Sequence, residues 1–226
     1  ERQASYRRLG GRAPIGMYEH FRTYPTAYDH GAWFDYRSVW LNRDNLAFHF
    51  GYYDERARHH REALANTNHV LAGLAGVREG DHVLDAGCGL GGSGFWLARE
   101  RGARVTGITP VPDQVERARE LAAQRGQSAE VRFECADYLH TPFPDAGFDV
   151  VWALESLCHA ADKPAFYREA ARLLRPGGRL VVAEYMRTRR NLGAADARLV
   201  DEWCAGWKSE EPRLNSSHIT ISYAVF

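Results

Sequence analysis

The chain has 226 residues, 29 basic and 29 acidic side chains, and a formal net charge of +0, a balance that leaves no basic footprint for nucleic acid and favours a small-molecule partner. Its length suits one α/β domain with an added segment and is short for two full domains. Cysteines at 88, 135, 158 and 204 lack C-x-x-C spacing, and no signal-like or membrane-length apolar run precedes the fold, so the expectation is a reduced, cytoplasmic protein with no membrane span.

Residues 1–16 are rich in Arg and Gly, lack periodicity, and read as a loose N-terminal arm. Residues 17–75 read as an aromatic-rich helical lid. Tyr18, Phe21, Tyr24, Tyr28, Trp33, Phe34, Tyr36 and Trp40 lead there into Phe48-His49-Phe50-Gly51-Tyr52-Tyr53. Such density serves either as packing or a homo-oligomer interface, or as a wall whose ring faces line a substrate cavity. Residues 54–75 are predicted to be helical, with Ala63, Leu64, Val70, Leu71 and Leu74 at helical spacing and Gly76 as the stop. His59, His60 and His69 make no metal set, because adjacent helix positions diverge by roughly 100° and no carboxylate completes them.

Residues 76–226 read as the core domain. Strands are predicted at 82–86, 105–109, 131–136 and 179–185, with a fourth strand entered from the Phe143–Asp149 turn and ending in the stretch that begins at Trp152, alternating with helices around Phe95, over 111–125, and over 162–174 before Pro176-Gly177. Beyond 190 the pattern weakens to a helix near 195–207 and one strand over 218–226. Asp149 reads as structural. In an open parallel sheet ligands gather at the carboxyl ends of the strands, which is where Glu155 and His159 fall.

The stretch His82-Val83-Leu84-Asp85-Ala86-Gly87-Cys88-Gly89-Leu90-Gly91-Gly92 is an apolar strand running into a glycine turn. Glycine lets backbone turn sharply and approach a ligand closely, so a nucleotide-type pocket is the first expectation. The same glycines satisfy the dinucleotide fingerprint. Asp85 separates the two readings, because a carboxylate at the strand end repels a pyrophosphate, whereas S-adenosylmethionine carries a cationic sulfonium and ammonium. The rival is a structural corner with no ligand. Cys88 reads as a small buried cysteine, not a nucleophile.

Asp85 to Gly92 resembles motif I of the class I S-adenosylmethionine-dependent methyltransferases, and Val105 to Thr109, Cys135-Ala136-Asp137, Phe148 to Ser156 and Leu174 to Gly178 follow in the order that family shows. The resemblance implies a Rossmann-like, doubly wound, mostly parallel seven-stranded α/β sheet and S-adenosyl-L-methionine as cofactor. It places Asp85, Gly87, Gly89 and Leu154 on the cofactor, Asp137 at the adenine amine and Tyr138 over the ring. Thr109 stands where the family usually has an acidic ribose clamp, and Gln114 follows from the G-[IVL]-[ST]-x-x-x-x-Q form of sterol and natural-product methyltransferases. Tyr52 and Tyr53 match a H-F/Y-G-Y-aromatic element whose tyrosines reach the methionine part. Only one member of the family's closing antiparallel strand pair is visible in the sequence.

The stretch from Glu155 to Asp162 resembles E-A-T-C-H-A-P-D of sterol C-methyltransferases, which makes Glu155 and His159 the catalytic candidates. Methylating an isoprenoid alkene creates a carbocation that aromatic faces stabilise and a base deprotonates. A prenyl diphosphate acceptor would also call on Mg²⁺ and arginines such as Arg22, Arg37 or Arg43. The alternatives are O- or N-methylation of a natural product or quinone, with His159 as base, and a non-catalytic cofactor-binding scaffold.

Overall fold

The computed structural model describes residues 45–185, 193–195, 197, 198, 201 and 219–225. The arm, the aromatics from Tyr18 to Trp40, the three arginines named above and most of the helix expected near 195–207 lie outside the described residues.

Helix α1 (His60–Leu74) leads into strand β1 (His82–Ala86), helix α2 (Gly92–Arg101), strand β2 (Arg104–Thr109), helix α3 (Pro112–Arg125) and strand β3 (Val131–Cys135). Strand β4 (Phe148–Leu154), a 3-10 turn (Leu157–His159), helix α4 (Lys163–Leu173), strand β5 (Leu174–Tyr185) and strand β6 (Ile219–Val225) complete the order. The sheet runs β3-β2-β1-β4-β5-β6, parallel from β3 to β5 with β6 antiparallel to β5. The described sheet therefore has six strands, against the seven implied by the resemblance. β6 is the one closing strand legible in the sequence.

Burial on both faces explains the near-continuous apolar strands. Val83 and Leu84 feed opposite core clusters, as do Val150 and Val151: the first cluster takes residues from α1, α2 and α3, the second from α4. α1 starts six residues later than helical spacing predicts. Asp54 Oδ1 accepts from Arg56 N at 2.8 Å in a local turn, and Glu62 reaches back to the amides of Arg58 and His59, capping the helix there. β5 begins earlier than expected, passing through Pro176 and two glycines beside a register shift against β4. No described helix is long and apolar enough to cross a membrane.

Asp149 sits at the far end of the sheet from the glycine turn, where its Oδ2 accepts from His82 N at 2.7 Å and its other oxygen pairs with Arg175. Its role is structural, as expected. The Phe133 ring is lodged between two glycines: a Cβ at Gly91 (φ +82) would fall on the ring, and one at Gly107 would stand 2.7 Å from it. Gly91→Ala combines left-handed strain with overpacking and is expected to cost about 2–4 kcal/mol, read as a lower denaturation midpoint in urea.

Candidate active site

The sheet order reverses between β1 and β4, which opens a crevice at their carboxyl ends. A cleft of about 850 Å³, counting its open mouth, occupies that crevice. Asp85, Gly87 and Gly89 form its wall on the β1 side, Thr109 and Gln114 on the β2 side, and Leu154, Glu155 and His159 on the β4 side. Leu46, Ala47, Phe48 and His49 close it from the segment before α1.

Asp85 is buried, and its Oδ2 has no hydrogen-bond partner among the described residues. Burial alone raises its carboxyl to about 7. Gly87 and Gly89 have φ of +89 and +54. At Gly87 a Cβ would collide with Ser156, whose Oγ donates to Ala86 O at 2.7 Å, so the turn is locked onto the β4 loop. Cys88 is a buried free thiol whose pKa dehydration and then Asp85 push upward, so it stays protonated.

Thr109 and Gln114 are both buried and bond each other: Thr109 Oγ1 donates to Gln114 Oε1 at 2.7 Å. The hydroxyl thus spends its single donor on the glutamine, and the spacing that suggested two cofactor contacts also pins the end of β2 to the first turn of α3. Tyr138 lines the cleft with its hydroxyl donating to Ser156 O at 3.0 Å. Asp137 does not line it; its Oδ1 accepts from Leu139 N at 2.9 Å in a turn of its own. Tyr52 and Tyr53 are exposed, at 45% and 57%, and neither lines the cleft. The segment ahead of them does so instead.

Glu155 takes a left-handed backbone, φ +50, and its Oε1 accepts from Phe50 N at 2.8 Å, joining the end of β4 to that segment. His159 sits on the 3-10 turn after it, with its own amide donating to Ser156 O at 3.2 Å. Glu155 and His159 therefore share the cleft with Asp85, as the sequence suggested. Sequence reasoning did not place Leu46, Ala47, His49, Ser93, Pro110, Val111 or Ser156 on the cleft, whereas Phe48 stands among the aromatics read as a possible cavity wall.

A methyltransferase-domain family model matches residues 84–182, the span that contains every strand-end residue of the cleft. Over 184 residues the chain is 41% identical to 27-O-demethylrifamycin SV methyltransferase of Amycolatopsis mediterranei, covering 80% of this chain and 67% of that protein. The chain belongs to the S-adenosylmethionine-dependent methyltransferases. A second methyltransferase relative, sterol 24-C-methyltransferase ERG6A of Gibberella zeae, is 39% identical over 127 residues, 56% of this chain and 33% of that one. The chain spans 58% and 46% of two further methyltransferase relatives. Among solved structures, the cyclase SpnF superposes with a TM-score of 0.66 at 28% identity, over 90% of this chain and 71% of that one.

This methyltransferase cleft fits the family's cofactor on grounds of its own. A buried carboxylate with an unpartnered oxygen is costly, and a sulfonium or ammonium is the partner that lowers that cost. Gly87 and Gly89 line the cleft beside Asp85 with the positive φ that L side chains rarely adopt, so the turn brings main chain to the cleft wall. Among the described residues no group of three or more His, Cys, Asp or Glu is arranged to hold a metal.

Proposed function

We propose that the chain methylates a hydroxyl group of an apolar natural product, with S-adenosylmethionine as donor. The observation that carries this reading is the rest of the cleft lining, where apolar Phe48 and Leu154 stand with two imidazoles, His49 and His159. A relative covered over 67% of its length is named a 27-O-demethylrifamycin SV methyltransferase. When bound, the cofactor supplies an electrophilic methyl group. Asp85 compensates its positive charge, the glycine turn seats it, and Phe48, Leu154 and Leu46 keep water from the reacting pair. An imidazole on the cleft wall receives the hydroxyl proton; His159 is the sequence's candidate.

The second reading is C-methylation of an isoprenoid alkene, as a prenyl diphosphate, terpenoid or sterol-like acceptor. It is favoured by the position of Glu155 on the cleft and by the identity to a sterol 24-C-methyltransferase. There the base must quench a carbocation, and Glu155 would be that base. A diphosphate would bring Mg²⁺ with it.

The test is release of S-adenosylhomocysteine with a panel of macrolactone alcohols, quinols, phenols, sterols and prenyl diphosphates, with the new methyl located by NMR. An ether methyl is the expected product. A new carbon-bound methyl replaces the first reading with the second, and cofactor binding without release across the panel counts against both.

A further inference from the structure

Residues 46–53 form a strap over the cleft that is pinned from two sides. On the β4 side Phe50 N donates to Glu155 Oε1. On the α1 side Tyr52 N donates to Ala63 O at 3.0 Å and to Thr67 Oγ1 at 2.9 Å, and Asn66 Nδ2 donates to Tyr52 O at 3.0 Å. Gly51 lies so close to the helix that a Cβ would stand 2.6 Å from Ala63 Cβ. A side chain carried by this strap is held in place before any ligand arrives.

His49 is that side chain. It is 8% exposed and lines the same cleft as Asp85 and Leu154. Its Nδ1 lies 2.9 Å from Phe50 O, the oxygen to which Thr67 Oγ1 also donates. A carbonyl has no hydrogen to give, so Nδ1 carries the ring proton and Nε2 is left as a bare lone pair. Nε2 is buried and has no hydrogen-bond partner among the described residues. Buried polar atoms of native folds are ordinarily satisfied, and a fixed, dehydrated acceptor on a substrate cleft is satisfied by a donor that enters the cleft.

We infer that His49 Nε2 receives the proton of the acceptor hydroxyl during methyl transfer, a role that rests on the hydroxyl-methylation reading. The hydroxyl oxygen forms the new C–O bond as the S–C bond breaks and its electron pair stays on sulfur. The O–H proton passes to Nε2, so the positive charge that began on the sulfonium ends on the imidazolium, and the products are an ether and S-adenosylhomocysteine. Burial holds the His49 pKa down at about 4, which keeps Nε2 unprotonated at neutral pH. So weak a base suffices, because a hydroxyl becomes strongly acidic once its oxygen is bonding to the methyl carbon. Of the other titratable groups on the cleft, Asp85 and Cys88 belong to the glycine turn, the Tyr138 hydroxyl donates to Ser156 O, Glu155 Oε1 accepts from Phe50 N, and His159 on the 3-10 turn is the rival imidazole.

The test pairs His49→Asn, whose amide keeps a donor for Phe50 O and has no atom at Nε2, with His49→Gln, which places an amide near Nε2 that cannot take up a proton. In ¹⁵N NMR of the wild-type chain loaded with S-adenosylhomocysteine, His49 is expected as the Nδ1–H tautomer from pH 8 to pH 5; the Nε2–H tautomer would overturn the proposal. Both variants are expected to bind S-adenosylhomocysteine within about twofold of wild type and to turn over the fastest alcohol of the panel roughly 10²–10³-fold more slowly. The loss should shrink for 4-nitrophenol, which is largely ionised at pH 8 and has no proton to give. If wild type methylates a hydroxyl and both variants keep pace, the proposal fails and the hydroxyl reading stands. If wild type methylates only alkene carbon, the hydroxyl reading fails first and takes the proposal with it. Loss of S-adenosylhomocysteine affinity in both variants would reassign His49 to the cofactor.

Discussion

Asp85→Asn is expected to make the apo chain more stable and the cofactor bind about 100-fold more weakly, two shifts of opposite sign from one carboxyl. The stability gain follows from burial. With its pKa raised to about 7 from an ordinary value of 3.8, the native carboxyl holds its proton where the unfolded one has lost it. Its stabilising contribution is complete below 3.8 and is lost as pH rises through 7, so at pH 8 the ionised group is a burden of order 2–4 kcal/mol. The neutral amide removes that burden and raises Tm by roughly 5 °C or more. The affinity loss has the same origin, because removing one member of a buried charge pair costs about 2–5 kcal/mol. A cation bound beside Asp85 lowers its pKa, so binding below pH 7 expels a proton. Affinity for S-adenosylmethionine should therefore be about tenfold weaker at pH 6 than at pH 8 in the wild type, with that slope absent from Asp85→Asn. Calorimetry in buffers of different ionisation enthalpy reads the proton directly. Unchanged affinity in the variant would remove Asp85 from the cofactor site.

The half of the site built by the strands was legible in the sequence, and the half built by the strap was not. β1 falls on the predicted residues 82–86 because an apolar run buried on both faces and stopped by glycine carries its bounds locally. Glu155 and His159 were found by the same logic, since the carboxyl end of β4 is fixed by where its apolar run stops. The strap has no such period. Which of its side chains turn inward is decided by partners more than ten residues away, Ala63, Thr67 and Glu155, and these place His49 inside and Tyr52 outside. The one available signal is a histidine flanked by aromatics two residues before a glycine, and the family pattern points past it to the tyrosines. Thr109 and Gln114 line the cleft, but strand-end-to-helix spacing does not reveal that the two residues bond each other. Asp137 was read from the family pattern, while its local chemistry, a carboxylate two residues before a free amide, is that of a turn.

Glu155 is the residue on which the two chemical readings part. Its Oε1 accepts from Phe50 N, a bond that glutamine can preserve through its own amide oxygen and that alanine cannot. If the chain methylates a hydroxyl, Glu155→Gln keeps the strap and should fall within about tenfold of wild type, whereas Glu155→Ala releases the strap and loses roughly 100-fold or more, most of it in KM. If the chain methylates an alkene, the carboxylate is the base. Glu155→Gln then drops turnover by about two to four powers of ten with cofactor affinity unchanged. Backbone strain adds a control that touches neither reading, because φ at Glu155 is +50 and glycine alone is at ease there. Glu155→Gly and Glu155→Ala both delete the carboxylate, but the glycine variant should be the more stable by about 1 kcal/mol. If their activities nevertheless match, the loss comes from the missing strap contact and not from a distorted turn. A glutamine variant as inactive as alanine, with normal S-adenosylhomocysteine affinity in both, would assign the carboxylate to the chemistry and decide for the carbon acceptor.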